Sequence, residues 1–456
     1  MSTIFEFDEV SHLTEALRDT ALGDEINYKM LDEPPDVFVN GNHVGAEDDG
    51  FDEEPVGITL ETLPIPMQTR HGRRPSMIAL SYEVGIGGSS YVLRLLGSGG
   101  LYKPRLCDFE PIKVLGQGSY GKVLLVREIA TGRLFAQKQL KKASLIINQD
   151  TNEIHKTNYQ RTLNEKQILE SVNHPNIVKL YYAFQDNNKL YLILEYLQGG
   201  ELFHHLAQEK FMTEKLASFY IAQMVLALRY LHGQLKVIYR DLKPENCLLN
   251  SQGHLVLTDF GLLKEVEDDS NCHSITGTAQ YMAPEIIKGE EYDYRVDWWS
   301  LGCVAYDLLT GLPPFTGQNP QKIMDKIVAA AAKNNKQLKF PFYLSSDSKD
   351  LLRKLLQVNP DKRLNVDEDF EKVKKHAFFR HVNWKELEAL TPQSELLPPI
   401  LPIITDPELA ENFDSDFTDM PFTPDTHPSY MNGKDILHLQ GFSYTNESFL
   451  ASLNGN

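Results

Sequence analysis

The alternation of hydrophobic and polar positions changes character near residue 107. From Met1 to about Pro75 neither a helical nor a strand period is sustained, and runs such as Glu47-Asp48-Asp49-Gly50-Phe51-Asp52-Glu53-Glu54 isolate the few apolar residues. Such text buries too little apolar surface to offset its ordering entropy, which predicts a largely disordered arm. Residues 78–101 hold more β-formers between two glycine clusters and read as a short hairpin or a linker. From Cys107 the chain carries short β-like runs at 123–126, 134–138, 178–184 and 189–195, with helix-period text at 159–172 between them. Beyond Gly200 the period is helical, clearest at 213–231 and at 346–358, where Ser346 is the expected N-cap. After Trp384, prolines recur from Pro392 to Pro428 with acids between them, the composition of an extended tail. The expected organisation is an acidic regulatory arm over 1–106, an α+β core over 107–379 with a β-rich lobe before a larger helical one, and a tail over 380–456.

Composition adds where the charge lies. The 456 residues sum to −18, but residues 1–69 carry 17 acids against 2 bases and residues 382–456 carry 12 against 2, leaving the part between them at +7. This distribution argues against a chain-wide nucleic-acid footprint. An apolar fraction of 42% excludes a wholly disordered or collagen-like chain. Cys107, Cys247, Cys272 and Cys303 are far apart, without zinc spacing or a disulfide framework. The acidic N-terminus lacks the pattern of a secretion signal, and no run of about 18 apolar residues occurs. The expectation is a soluble protein of a reducing compartment, without membrane insertion.

Candidate chemistry begins at Gly116-Gln117-Gly118-Ser119-Tyr120-Gly121-Lys122-Val123, between two β-like runs, where glycines let backbone N–H groups approach phosphate oxygens. Alone this is weak. Gly85-Ile86-Gly87-Gly88-Ser89 looks similar but lacks the third glycine and a strand lysine downstream, and reads as a flexible turn. What distinguishes the first loop is the order that follows it. Lys138 stands seventeen residues beyond Gly121, Glu165 lies in helical text, Tyr239-Arg240-Asp241-Leu242-Lys243-Pro244-Glu245-Asn246 gathers a carboxylate, an ammonium and an amide, Asp259-Phe260-Gly261 adds a second carboxylate, and Ala283-Pro284-Glu285 closes the series.

In that order these motifs resemble the eukaryotic protein kinases over about 109–379. The resemblance implies a bilobal fold, with a five-stranded N-lobe carrying one main helix, a helical C-lobe and ATP in the cleft. It implies ATP contacts from Leu115, Gly116, Gly118, Ser119, Gly121, Val123 and Lys138, with Glu165 pairing Lys138, and adenine held at a hinge of Glu195, Tyr196 and Leu197 behind Leu194. Asp241 is then the catalytic carboxylate facing a substrate hydroxyl, Lys243 supports the transferred phosphoryl group, and Asn246 and Asp259 ligate Mg²⁺. A catalytically dead kinase fold is the competing reading, and the presence of Lys138, Asp241, Asn246 and Asp259 weighs against it. Leu169, Leu180, Tyr239 and Phe260 match a stacked apolar spine anchored by Asp297, and Arg363 is expected to pair with Glu285 inside the C-lobe.

Lys243, two positions after Asp241, resembles serine/threonine rather than tyrosine enzymes, with Thr278 completing the acceptor site. Glu201, Glu245 and Asp307 match positions that read arginines on a basic protein substrate. The Trp298-Trp299 pair and the tail resemble the AGC group: Phe413-Asp414-Ser415-Asp416-Phe417 is expected to cross the cleft with Phe413 near the adenosine, Phe422-Thr423-Pro424 resembles the turn-motif phosphosite, and Gly441-Phe442-Ser443-Tyr444 the hydrophobic-motif phosphosite. Leu439 departs from the Phe often found there, which leaves the strength of tail docking open. Ser274 aligns with the activation-segment phosphosite, its phosphate expected to face Arg161, Arg240 and Lys264.

Long stretches, including residues 189–197 and 297–302, resemble the p70-type ribosomal protein S-six kinases. That implies phosphorylation of the tail by the TOR complex and of Ser274 by a phosphoinositide-dependent-type kinase, a ribosomal protein as one candidate substrate, and a monomer working in the cytoplasm with the nucleus as a second compartment. Phe5-Glu6-Phe7-Asp8 is similar to the TOR-signalling motif of such kinases, with Glu9 breaking its last position. Two alternatives stay open: a serum/glucocorticoid-kinase-like or Akt-like AGC branch, and a phosphorylation-regulated scaffold without turnover.

Overall fold

The computed structural model describes residues 104–118, 121–142, 156–206, 210–265, 276–332, 338–391, 394–421, 439 and 441–453. The hairpin or linker expected at 78–101 and the Phe5-Asp8 motif lie outside these residues.

The N-lobe is an antiparallel sheet. Strands β1 (Phe109–Gly118), β2 (Gly121–Glu128), β3 (Leu134–Lys141), β4 (Leu180–Gln185), β5 (Lys189–Glu195) and a late β11 (Tyr444–Thr445) assemble in the order β1-β2-β3-β5-β4-β11. The five expected strands are present and a sixth, supplied by the tail, pairs with β4 through Tyr444 opposite Ala183 and Thr445 opposite Tyr182. Gly118 faces Gly121 at the turn of the glycine hairpin. At Gly121 an added Cβ would sit 1.7 Å from the Gln139 carbonyl oxygen, so β2 and β3 approach this closely only because the position carries no side chain. Helix α1 (Lys156–Ser171) lies between β3 and β4.

The C-lobe is built on α2 (Glu214–Tyr230) and α4 (Arg295–Thr310), with the short α3 (Pro284–Ile287) between them and α5 (Pro320–Ala332) and α6 (Ser346–Leu355) after them. α4 is buried around nearly its whole circumference, from Val296 through Leu309, as a helix apolar on most faces must be. Trp298 and Trp299 are both fully buried in the core that also contains Tyr220 and Tyr239. The small strand β6 (Gly200–Glu201) precedes α2, and β7 (Val237–Ile238), β8 (Cys247–Leu249), β9 (Leu255–Leu257) and β10 (Lys264–Glu265) come between α2 and α3; together they frame the loops of the site.

Boundaries differ from the sequence pattern by a few residues. α2 begins with Thr213 as its cap and ends in a π-turn over Leu231–Leu235. The N-cap of α6 is Ser345 rather than Ser346: its Oγ accepts the Ser348 N–H at 3.1 Å, and its own N–H donates to Glu214. Two adjacent serines present the same local signal, and only the tertiary partner Glu214 selects between them. Arg363 forms the expected buried pair, its two terminal nitrogens reaching the Glu285 oxygens at 2.6 and 3.0 Å, with backbone carbonyls taking further donors. Among the described residues Cys107, Cys247 and Cys303 are free thiols, and no helix is long and apolar enough to cross a membrane.

Candidate active site

Two clusters of charged side chains face each other where the lobes meet. In the first, β3 presents Lys138, whose Nζ lies 2.7 Å from Glu165 Oε1 on α1 and 2.9 Å from Asp259 Oδ1. Burial works against charge on Lys138, but the two carboxylates hold it protonated. Lys138, foremost, keeps the Asp259 carboxyl below the usual range despite burial, so Asp259 is an anion at neutral pH. Glu165 moves upward because its burial outweighs the attraction of Lys138.

In the second cluster, Asp241 is 3% exposed, too little for water to hold it in one orientation. Side chains do that instead: Lys243 Nζ is 2.8 Å from Oδ2, Asn246 Nδ2 donates to the same oxygen at 3.0 Å and to the Asp241 carbonyl at 2.7 Å, and Thr278 Oγ1 donates to Oδ1 at 3.1 Å. Burial raises the Asp241 pKa and the Asp259 charge adds to this, while Lys243 pulls it back.

The loop carrying Asp241 is pinned from beneath. Asp297, fully buried at the start of α4, accepts the Tyr239 N–H and the Arg240 N–H, each at 2.8 Å. The same carboxylate accepts from His232, which also reaches Asp367 at 3.0 Å. Burial alone would lower the His232 pKa, yet its two carboxylate partners lift it to about 9, so this bridge is charged at neutral pH. Arg240 and Asp259 both sit in the left-handed region, at φ 63° and 55°, a backbone cost carried by residues the site holds in place. Leu169, Leu180, Tyr239 and Phe260 are all buried in one core, with the Tyr239 and Phe260 rings 5.3 Å apart.

One side of the cleft is apolar. Leu115 and Val123 cluster with Ala136, Tyr196 and, from the tail, Ala410 and Phe413. The Phe413 ring stacks on Tyr196 at 5.9 Å, and the Tyr196 hydroxyl donates to the Pro407 carbonyl at 2.9 Å. Glu195 ends β5 and Leu197 is buried just beyond it. Gly200, at φ 65°, lies so close to the Asn412 carbonyl that an added Cβ would fall 1.9 Å from it, and Asn412 donates to the Gln198 carbonyl at 3.1 Å. At Gly116 and Gly118 an added Cβ would meet no protein atom within 4 Å, so packing does not demand glycine there, and the bare backbone suits a cradle for phosphate.

Of the acids expected to read arginines, Glu201 and Glu245 are exposed and Asp307 is buried, accepting from the Tyr281 hydroxyl at 2.9 Å. Although Glu201 is exposed as a residue, partial desolvation of its carboxyl, with the like charges of Glu245 and Asp414, pushes it up to about 7, and burial lifts Asp307 to about 6. Arg240 donates to the Leu262 carbonyl and the Tyr292 hydroxyl, and lies near enough to Arg161 to lower that guanidinium's pKa together with burial. Lys264 is exposed on β10. Ser119, Ser274 and Thr423 lie outside the described residues. Ser443 is exposed between Phe442, which is fully buried, and Tyr444. Leu439 is 2% exposed and both its backbone groups bond to the Gln185 side chain, so leucine docks here without the larger ring.

Sequence reasoning missed several participants. Ala410 and Asn412 gave no motif signal, and His232 and Asp367 acquire their link only through the fold; Gly200 was the one legible hint, a glycine just after the hinge.

A two-lobed fold with these clusters at its cleft defines a protein kinase, and residues 109–379 match the protein kinase domain family. The chain is 44% identical to serine/threonine-protein kinase YPK3 of Saccharomyces cerevisiae over 395 residues, 74% of each chain. It is 44% identical to ribosomal protein S6 kinase beta of Caenorhabditis elegans over 356 residues, 76% of this chain and 61% of that one, and 42% identical to serine/threonine-protein kinase Sgk1 of Danio rerio over 316 residues, 69% of each. The chain therefore belongs to the AGC group of serine/threonine protein kinases.

Proposed function

We propose that this kinase transfers the γ-phosphoryl group of ATP to serine or threonine in arginine-flanked protein substrates, as a ribosomal protein S-six kinase-like enzyme acting downstream of TOR. The observation that carries the chemistry is the fixed carboxylate of Asp241, with Lys243, Asn246 and Thr278 around it. Its raised pKa suits a group that orients and takes the proton of a substrate hydroxyl. Lys243 lies where it can neutralise charge on the phosphoryl group in flight, and Lys138, kept charged by Glu165 and Asp259, suits the α/β-phosphates of ATP. Gly116, Gly118, Ser119 and Gly121 are assigned to the phosphates, and the apolar surface of Leu115, Val123 and Phe413 suits the adenosine.

Asp259 and the Asn246 side-chain oxygen are hard donors that would hold Mg²⁺, which would supply positive charge to offset that of the phosphates.

Glu201, Glu245 and Asp307 are assigned to substrate arginines, and Ser274, Thr423 and Ser443 to regulatory phosphorylation, with Arg161, Arg240 and Lys264 on the Ser274 phosphate. An upstream phosphoinositide-dependent-type kinase acting on Ser274 and the TOR complex acting on Ser443 are the proposed activators, with the 1–106 arm and the 380–456 tail as regulatory segments, and the cytoplasm and nucleus the proposed compartments. The relative named a ribosomal protein S6 kinase supports this branch, while the Sgk1 relative supports the serum/glucocorticoid-like alternative.

The test is phosphorylation of an arginine-directed peptide by wild type and Asp241→Asn, with Ser274 and Ser443 occupancy read by mass spectrometry before and after TOR inhibition. Loss of turnover in the variant and a fall in Ser443 phosphate support both levels of the reading. Turnover by an enzyme whose Ser443 ignores the inhibitor keeps the chemistry and moves the protein to the other branch.

A further inference from the structure

The N-lobe sheet ends at β4, and an open edge beside aromatic side chains is a liability a fold must cover. Here the chain's own C-terminus covers it. After β11 pairs with β4, the Asn446 N–H donates to the Tyr181 carbonyl at 2.9 Å, and Asn446 then starts the helix Glu447–Leu453, its Oδ1 accepting the Phe449 N–H at 3.1 Å. This first turn lays Phe449 on Tyr181 with ring centres 4.5 Å apart and beside Phe135 and Tyr182, each with its ring centre 6.1 Å away, while the Arg133 guanidinium lies 5.2 Å from the Phe449 ring. Strand pairing supplies register and the aromatic plug supplies buried apolar area, the combination by which extended peptides dock on sheet edges.

None of these contacts uses the Ser443 side chain, which is exposed upstream of them. Lys166 on α1 joins the two parts of the tail: its Nζ donates to the Gly441 carbonyl at 2.8 Å and lies 5.7 Å from the Tyr444 ring centre. Its chain neighbour Glu165 is the residue that holds Lys138. We infer that Tyr444–Leu453 is a second tail anchor, independent of phosphate on Ser443, that seats on the β4 edge and the aromatic cluster and keeps the Glu165 helix aligned. Phe449 is thus a positioning residue acting through Lys166 and Glu165.

The experiment is hydrogen exchange on the full chain, comparing wild type, Phe449→Ala, Phe449→Tyr and Ser443→Ala, with steady-state kinetics on the same preparations. Phe449→Ala is expected to raise amide exchange in β4 and α1 at least tenfold and to lower kcat severalfold with the peptide KM little changed, Phe449→Tyr to restore both, and Ser443→Ala to leave β4 as protected as in wild type. If Phe449→Ala loses its fold by circular dichroism, Phe449→Leu takes its place in the comparison. Wild-type exchange in the Phe449 variant, or loss of β4 protection in Ser443→Ala alone, overturns the inference. Because amide exchange does not depend on turnover or on TOR, its failure is distinguishable from failure of the proposed branch.

Discussion

Thr278 fixes one face of Asp241: its hydroxyl holds Oδ1 at 3.1 Å while Lys243 and Asn246 hold Oδ2. With both oxygens committed, the carboxylate has one orientation toward an incoming hydroxyl. A hydrogen bond to a charged group contributes about 1.5–3 kcal/mol, or roughly 10- to 100-fold in rate if it acts mainly in the transition state. Thr278→Ala is expected to lower kcat by that range with ATP KM nearly constant, and Thr278→Ser to recover most of it. A wild-type kcat in the alanine variant would remove Thr278 from the positioning set.

Arginine reading should depend on pH. Partial desolvation and the nearby acids push Glu201 up to about 7, and burial lifts Asp307 to about 6, so each loses its negative charge as pH falls through those values. The KM for an arginine-flanked peptide is expected to rise between pH 8 and pH 6, while the KM for a peptide with alanine in place of the arginines stays flat. Equal pH profiles for the two peptides would count against these acids as the reading site.

The Arg363–Glu285 pair tests C-lobe stability apart from catalysis. Both side chains are almost fully buried and hydrogen-bonded, so removing one leaves the other charge stranded, at about 3–5 kcal/mol. Arg363→Ala is expected to lower the urea midpoint by a matching amount, and Arg363→Lys to recover little because an ammonium cannot reproduce the two-pronged contact. A midpoint unchanged in Arg363→Ala would show the pair to be energetically neutral.

His232 gives a stability signature with its own sign. Its folded pKa of about 9 is above the ordinary histidine value, so its contribution is fully present below about 6.5 and is lost as pH rises through 9. The difference in stability between wild type and His232→Gln should therefore shrink from pH 6.5 to pH 9.5, measured by urea unfolding at each pH. A difference independent of pH over that window would mean the imidazole is not charged in the folded protein.

For regulation, Ser274→Ala is expected to reduce activity on the arginine-directed peptide, since the phosphate would offset the positive charge on Arg161, which burial and then the nearby Arg240 already disfavour. Undiminished activity in the variant would remove Ser274 as the switch.

What could be read in the sequence divides along a physical line. The glycine hairpin, Lys138, Asp241, Asn246 and Asp259 were legible because phosphate chemistry fixes residue type and spacing along the chain. The strands and α2 were legible because burial imposes a period. Hidden from that reading were contacts between distant segments that no local spacing encodes: the Gly200 approach to Asn412, Gln185 clamping Leu439, and His232 held between Asp297 and Asp367. The sixth strand escaped for a related reason, since two residues of Tyr444–Thr445 are too short to show a period and become a strand only against β4.

The stacking of Phe413 on Tyr196, with Ala410 in the same apolar cluster, also bears on how the protein is to be produced and targeted. A recombinant fragment ended at residue 379 would retain every motif residue from the hairpin to Arg363, yet would lack Ala410 and Phe413, one wall of the apolar cluster beside Tyr196. Screens run on such a fragment would select compounds for a wider, wetter opening than the one this chain presents with its tail in place, and their rankings would not transfer.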